Sequence, residues 1–181
     1  MANSQEKIAL YNLADLKHTS DDAIPNYLNS LRFKQSHKLT DVRLALGYSA
    51  FAVAAACFLW DYHYGFQSTK YLTAAAVAIY TLLNGALTLW IWLAEHGTVY
   101  VGTAPSGETL RITTSTRKNV PQYDIEIEIR AKGATKAHTI KISRSFTGWF
   151  DAAGHLVAAP LQSVFATAVP CIGLLDPKRR P

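Results

Sequence analysis

Two stretches of this 181-residue chain carry no formal charge: Leu44–Trp60, 17 residues, and Tyr71–Ala94, 24 residues. At about 1.5 Å rise per residue, helices over them would span roughly 25 and 36 Å. The first is at the short limit for a bilayer core; the second can cross with some tilt. Apolar residues occupy every face of both, so neither has the stripe of a helix half-buried in a soluble core. Two transmembrane helices are therefore expected. A cleavable signal peptide is not, because 43 mostly polar residues come first.

Arg32, Lys34, Lys38 and Arg43 lie just before the first span, whereas the connection Asp61–Lys70 holds Lys70 balanced by Asp61. The positive-inside rule puts the N-terminus in the cytosol, and two spans return the chain to the same side. Trp60, Tyr62, Tyr64, Phe66 and Tyr71 suit the far headgroup level, and Trp90 and Trp92 the near one. Arg43 would snorkel to the cytosolic headgroups, while Asp61 would sit at the opposite interface near His63. The 17 residues of the first span would also favour a locally thin bilayer.

Outside the spans the periodicity is that of a small α+β domain. Ser20-Asp21-Asp22 reads as a helix start, followed by Ile24, Tyr27, Leu28 and Leu31 at helical spacing with Pro25 in the first turns. This helix would lie on the membrane surface or pack on the domain. Val99 and Val101, then Leu110 and Ile112, mark two strands around a turn at Pro105–Gly107. In YDIEIEIR, Tyr123, Ile125, Ile127 and Ile129 point one way and the charged residues the other. Lys136–Ser143 would complete a hairpin, with His138, Ile140 and Ile142 inward and Lys141 and Lys136 across from the glutamates. Ser143–Phe150 is expected as a helix with Phe146, Trp149 and Phe150 inward, Asp151–Gly154 as a turn, His155–Val157 as a short strand and Pro160–Ala168 as a last helix.

The fold class is thus a membrane protein, α+β: a two-helix transmembrane hairpin with a small cytosolic antiparallel-sheet domain and flanking helices. Its segments are 1–43 N-terminal, 44–60 and 71–94 membrane-spanning, 61–70 luminal, 95–168 the α+β domain and 169–181 a solvated basic tail.

Asn84 is the one strongly polar side chain deep in a span, so it marks a contact with the first helix or with another subunit. Gly85 and Ala86 beside it permit close backbone approach. Arg43, Trp60, Asp61, Tyr62, Asn84 and Gly85 are the candidate anchoring or subunit-contact residues. An Asp61–His63 pair has no accompanying nucleophile, and Ser68 and Thr69 read as ordinary loop residues. There is no metalloprotease, phosphate-binding, nucleophile-elbow or Cys-x-x-Cys motif, and the six histidines have no ligand spacing. No catalytic residue, cofactor or metal is expected. Cys57 and Cys171 fall in different segments and do not suggest a disulfide. Basic residues in the sheet are mixed with acids, against nucleic-acid binding. What remains is a membrane-anchored interaction module; a homo-oligomeric membrane-shaping hairpin is the rival, and an enzyme using Asp61 and His63 the third reading.

Leu39-Thr-Asp-Val-Arg-Leu44 with Gly47, Trp60-Asp61-Tyr62, and Trp149-Phe-Asp-Ala-Ala-Gly154 followed by His155-Leu-Val157 resemble the signal peptidase complex subunit 2 family over residues 6–168. The resemblance implies a non-catalytic accessory subunit of the endoplasmic reticulum enzyme that removes signal peptides. It implies both termini in the cytosol, the catalytic and small signal peptidase subunits and membrane lipid as partners, and a contact with the protein-conducting channel through its β subunit. The tail after Val169 has no counterpart in the resemblance.

Overall fold

The structure, a computed structural model, describes residues 7–134 and 137–176. In chain order its elements are α1 (Leu13–Ser30), β1 (Lys34–Gln35), α2 (Lys38–Tyr64), α3 (Phe66–Trp90), β2 (Thr98–Thr103), β3 (Thr109–Thr116), β4 (Gln122–Arg130), β5 (His138–Ser145), α4 (Ala158–Ala168) and α5 (Pro170–Leu175). They divide into two units, residues 37–96 and residues 1–36 with 97–181.

In the second of these units the five strands form one antiparallel meander in the order β1-β2-β3-β4-β5. The alternation in β4 is realised as expected: Tyr123, Ile125 and Ile127 are buried and Ile129 is partly so. Glu126 lies across from Lys141 and pairs with it at 3.1 Å. That exposed pair contributes only tenths of a kcal/mol to about one. In β2 Tyr100 and Gly102 are buried and Val101 alternates away from them, while a register shift between Thr98 and Tyr100 leaves Val99 partly buried against the core as well. Ile140 and Ile142 are partly buried, but His138 is exposed at the sheet edge. Lys136 lies outside the described residues, as do residues 177–181 of the basic tail.

Helix α1 begins seven residues before Ser20, at Leu13, with Asn12 as its cap: Asn12 Oδ1 accepts from the Ala14 amide at 3.1 Å. Ser20 and Asp21 are therefore mid-helix and buried, and Pro25 stands in the helix interior. The stripe Leu16, Ser20, Ile24, Tyr27 and Leu28 packs into the core of this unit, so the helix belongs to the domain and does not depend on a membrane for its cover. Ser143–Phe150 is not a helix. The strand runs on to Ser145, and Phe146–Gly148 form a single 3₁₀ turn. Residues 169–175 are not tail either: α5 buries Ile172, and Val169 before it is also buried. Both are apolar anchors that a short helix of 6 residues reveals poorly by periodicity.

The segment Trp149–Val157 closes as a small loop. Phe150 bridges Leu156, and the Val157 amide donates to the Trp149 carbonyl at 2.7 Å. Asp151 Oδ1 accepts from the Ala153 and His155 amides at 3.0 and 2.7 Å. Gly154 has φ 91°, and a Cβ there would stand 2.3 Å from the Ile8 carbonyl oxygen. Only glycine suits both demands.

In the unit 37–96, α2 and α3 form an antiparallel hairpin, and both are long and apolar enough to cross a membrane. Almost none of either apolar stretch is buried inside the protein, so their apolar faces lie open. The expected connection 61–70 is absent. Helix α2 continues to Tyr64, α3 starts at Phe66, and Gly65 alone turns the chain at φ 78° and ψ 142°. Nothing in the sequence stops α2 earlier, and a backbone conformation with this φ is one that glycine adopts without a Cβ penalty. The helices accordingly extend past the expected limits 44–60 and 71–94. At its far end α3 widens into a π-turn, Ile91–Glu95, closed by His96 at φ 42°.

Candidate functional site

The Gly65 turn brings the start of α3 against the end of α2, and Asp61 is the centre of that closure. The Thr69 hydroxyl donates to Asp61 Oδ1, and the Thr73 hydroxyl lies 2.9 and 3.0 Å from the two carboxylate oxygens. Cys57 Sγ lies 4.0 Å from Oδ2. Each threonine also reaches the carbonyl one turn back in its own helix, Thr69 to Gly65 at 3.2 Å and Thr73 to Thr69 at 3.1 Å. Thr69 is 4% exposed, a buried helix residue and not a loop residue. Asp61 is occupied by hydroxyls from α3; His63 instead meets Tyr64 edge-on at 4.8 Å. A carboxylate held this way fastens the two helices together.

The aromatic residues line the outside of the same turn. Trp60 and Tyr64 pack with ring centroids 5.3 Å apart and Phe58 and Tyr62 at 6.4 Å, all of them exposed. Tyr71 is exposed with the Lys70 ammonium 5.2 Å from its ring centre; the Phe66 side chain lies outside the described ones. At the open end of the hairpin, Arg43 pairs with Glu95 at 3.2 Å, and the Trp90 indole donates to the Leu39 carbonyl at 3.4 Å. Arg43 thus has a protein partner, and Trp90 is half-buried while Trp92 is exposed.

Asn84 does not reach α2. Its Nδ2 donates to the Tyr80 carbonyl of its own helix at 2.8 Å, which satisfies one amide hydrogen without any partner helix. A Cβ on Gly85 would meet nothing within 4 Å, so the small residues at 85 and 86 are not used for close packing inside this chain. Among the described residues there is no group of three or more His, Cys, Asp and Glu side chains that could hold a metal ion.

The most connected polar group is one that sequence reasoning did not find. Asp21 accepts from the Tyr123 phenol at 2.5 Å and the Thr114 hydroxyl at 2.8 Å, and pairs with Lys17 at 2.5 Å. One residue away, Ser20 Oγ accepts from the Trp149 indole at 3.0 Å and donates to the Leu16 carbonyl at 2.8 Å. Extending the Ile24–Leu28 stripe backward by fours would have reached Ser20 and Leu16 and exposed both as inward residues. Burial, with the Asp21 charge and hydrogen bond behind it, pushes the Tyr123 phenol far above its usual range. Burial likewise raises the Cys171 thiol to about 11, aided by Glu108. The His155 amide donating to Asp151 holds that carboxyl below its ordinary value.

Against this geometry, residues 15–170 match the family described as the microsomal signal peptidase 25 kDa subunit (SPC25). The chain belongs to the SPC25 family. It is similar to signal peptidase complex subunit 2 of Saccharomyces cerevisiae, 30% identical over 85% of this chain and 87% of that one. The Schizosaccharomyces pombe protein of the same name is 32% identical over 51% and 56%, and the Arabidopsis thaliana one 23% over 86% and 84%. The three motifs that carry the SPC25 resemblance each close something in this chain. Leu39–Arg43 ties α2 to the end of α3, Trp60-Asp61-Tyr62 holds the hairpin turn, and Trp149–Gly154 anchors its loop on α1 and on Ile8.

Proposed function

We propose that this chain is a non-catalytic accessory subunit of the signal peptidase complex in the endoplasmic reticulum membrane. The match to the family over residues 15–170 carries this reading, and the apolar faces left open on α2 and α3 support lipid or other membrane helices as their cover. The basic residues before α2 favour a cytosolic N-terminus. A hairpin whose two ends meet through Arg43 and Glu95 returns the chain to that same side. The folded unit then works in the cytosol, and the Gly65 turn faces the lumen. Trp60 and Tyr62 anchor the luminal headgroup level, Asp61 fixes the turn, and Asn84 with Gly85 meets a helix of another subunit. Hydrolysis is left to the catalytic subunit. Contact with the β subunit of the protein-conducting channel completes the reading. A homo-oligomeric membrane-shaping role has no support in the family match.

The test is purification of the tagged full chain from its own membranes in mild detergent. A serine-type signal peptidase subunit and small two-span companions in stoichiometric amount are the expected result; recovery of the chain alone would overturn it.

A further inference from the structure

Strand β5 is the end strand of the sheet, and its outer edge is open. Among the described residues it is hydrogen-bonded to β4 alone, and no other backbone bond reaches residues 138–145. The Phe146 amide donates to the Pro121 carbonyl at 3.3 Å, so, by the alternation of antiparallel pairs, positions 144, 142, 140 and 138 bond to β4. Thr139, Lys141 and Ser143 therefore turn their N–H and C=O groups outward. The opposite edge is a strand of only 2 residues, whereas β5 has 8. A long uncovered edge is a template for one more strand.

A second feature adjoins it. A groove of about 390 Å³ lies between Ile129 and His138 of the sheet and Cys171, Leu174 and Leu175 of α5. Leu174 is 76% exposed. His138 belongs to both the groove and the edge. On this inner face Ile140 and Ile142 are only partly covered. A strand laid along β5 would place every second side chain over these isoleucines and one beside His138, in the groove. The charge on β5 is of one sign, with Lys141 and Arg144 and no acid. Lys141 stands on the outer face and meets Glu126 through an exposed contact, whereas Arg144, across from Tyr123, is on the face of Ile140 and Ile142.

We propose that the β5 edge and this groove form a docking site for an extended segment of another protein, in which apolar residues alternate with acidic ones. Backbone pairing with Thr139, Lys141 and Ser143 holds the segment, an apolar side chain fills the groove, and its acids, on the outer face of the sheet, meet Lys141. β4 already shows the pattern, since its Ile and Glu residues alternate against the other side of β5.

The probe is a labelled Glu-Ile-Glu-Ile-Glu-Leu peptide, titrated by fluorescence anisotropy against the full chain in detergent. Saturable binding is expected, weakened at least tenfold by Ser143→Pro, which removes an outward N–H and leaves the β4 ladder intact. Slow amide exchange at Ile140 and Ile142 in that variant checks that the sheet is still formed. Leu174→Glu should weaken binding similarly. No saturable binding, equal binding of a Lys-Ile-Lys-Ile-Lys-Leu peptide, or indifference to Ser143→Pro would each overturn the proposal. So would concentration-dependent protection of the Thr139, Lys141 and Ser143 amides in the chain alone, which would give the edge to a second copy. Copurifying signal peptidase subunits without peptide binding would leave the proposed function standing and remove this one.

Discussion

The Tyr123 phenol donates to Asp21 Oδ1 at 2.5 Å across 102 residues of chain, and this bond ties α1 to the middle of the sheet. Both ends are shielded, at 0% and 9% exposure. A carboxylate in such surroundings is tolerable only because Lys17, Thr114 and Tyr123 converge on it.

That convergence sets an order of effects. Tyr123→Phe removes one charge-assisted bond and should cost about 1.5–3 kcal/mol. Asp21→Ala leaves a phenol, a hydroxyl and an ammonium without their acceptor and should cost more, about 3–5 kcal/mol. Thermal unfolding of the full chain in detergent, followed by near-ultraviolet circular dichroism, reads both; equal losses would contradict the role given to Asp21. The phenol's folded pKa lies above its ordinary value of 10.0. The unfolded chain therefore loses this proton first, and stability should fall as pH rises past about 10. Tyr123→Phe should flatten that decline.

Asp61 and its two threonines should respond asymmetrically. Asp61→Ala leaves hydroxyls that still bond to the carbonyls behind them, at a cost of about 1–2 kcal/mol. Thr69→Val with Thr73→Val leaves the part-buried carboxylate without its donors and should cost more than Asp61→Ala. Adding Asp61→Ala to the double variant should restore stability. Reversible unfolding in mixed detergent micelles measures the cycle, and additive effects would show that these groups do not act together.

Gly154→Ala should destabilise the folded unit by about 1–3 kcal/mol, since its φ is 91° and the new Cβ meets the Ile8 carbonyl. The Ile8 amide, bonded to the Gly154 carbonyl at 3.1 Å, should then exchange faster. Gly148→Ala is the control, because nothing lies within 4 Å of that Cβ.

Cys171 should alkylate slowly. With its pKa near 11 against an ordinary 9.0, its thiolate fraction at pH 8 is about a hundredfold below that of a free thiol. In a Cys57→Ser background the iodoacetamide rate should keep rising beyond pH 10; a plateau near pH 9 would refute the buried-thiol geometry. The raised folded pKa also means that this contribution to stability is complete below pH 9 and declines as pH rises toward 11.

Much of the local architecture was legible. The alternation of Tyr123–Arg130, the turn at Asp151–Gly154, the helix at Pro160–Ala168 and the two apolar helices are all present. The errors share a cause. Ser20-Asp21-Asp22 has the chemistry of a helix cap, and the same side chains can instead be satisfied inside a helix by residues 93 to 129 positions away. Proximity in sequence pairs Asp61 with His63, yet the Gly65 turn gives it Thr69 and Thr73. Of the two contacts open to Asn84, the one with α2 is not made, because its amide bonds to the Tyr80 carbonyl of its own helix.

The sequence by itself determined what each segment can do alone: which stretches are too apolar and uncharged to stay in water, which alternate, and where glycine or proline turns the chain. Side-chain period and solvation are local properties, so they survive in one dimension. Tertiary structure decided which polar groups meet, which strand is left at the edge, and which small residues pack on nothing in this chain. Those outcomes depend on hydrogen-bond geometry between residues far apart in sequence, and only the folded chain brings Asp21 to Tyr123 or leaves β5 open.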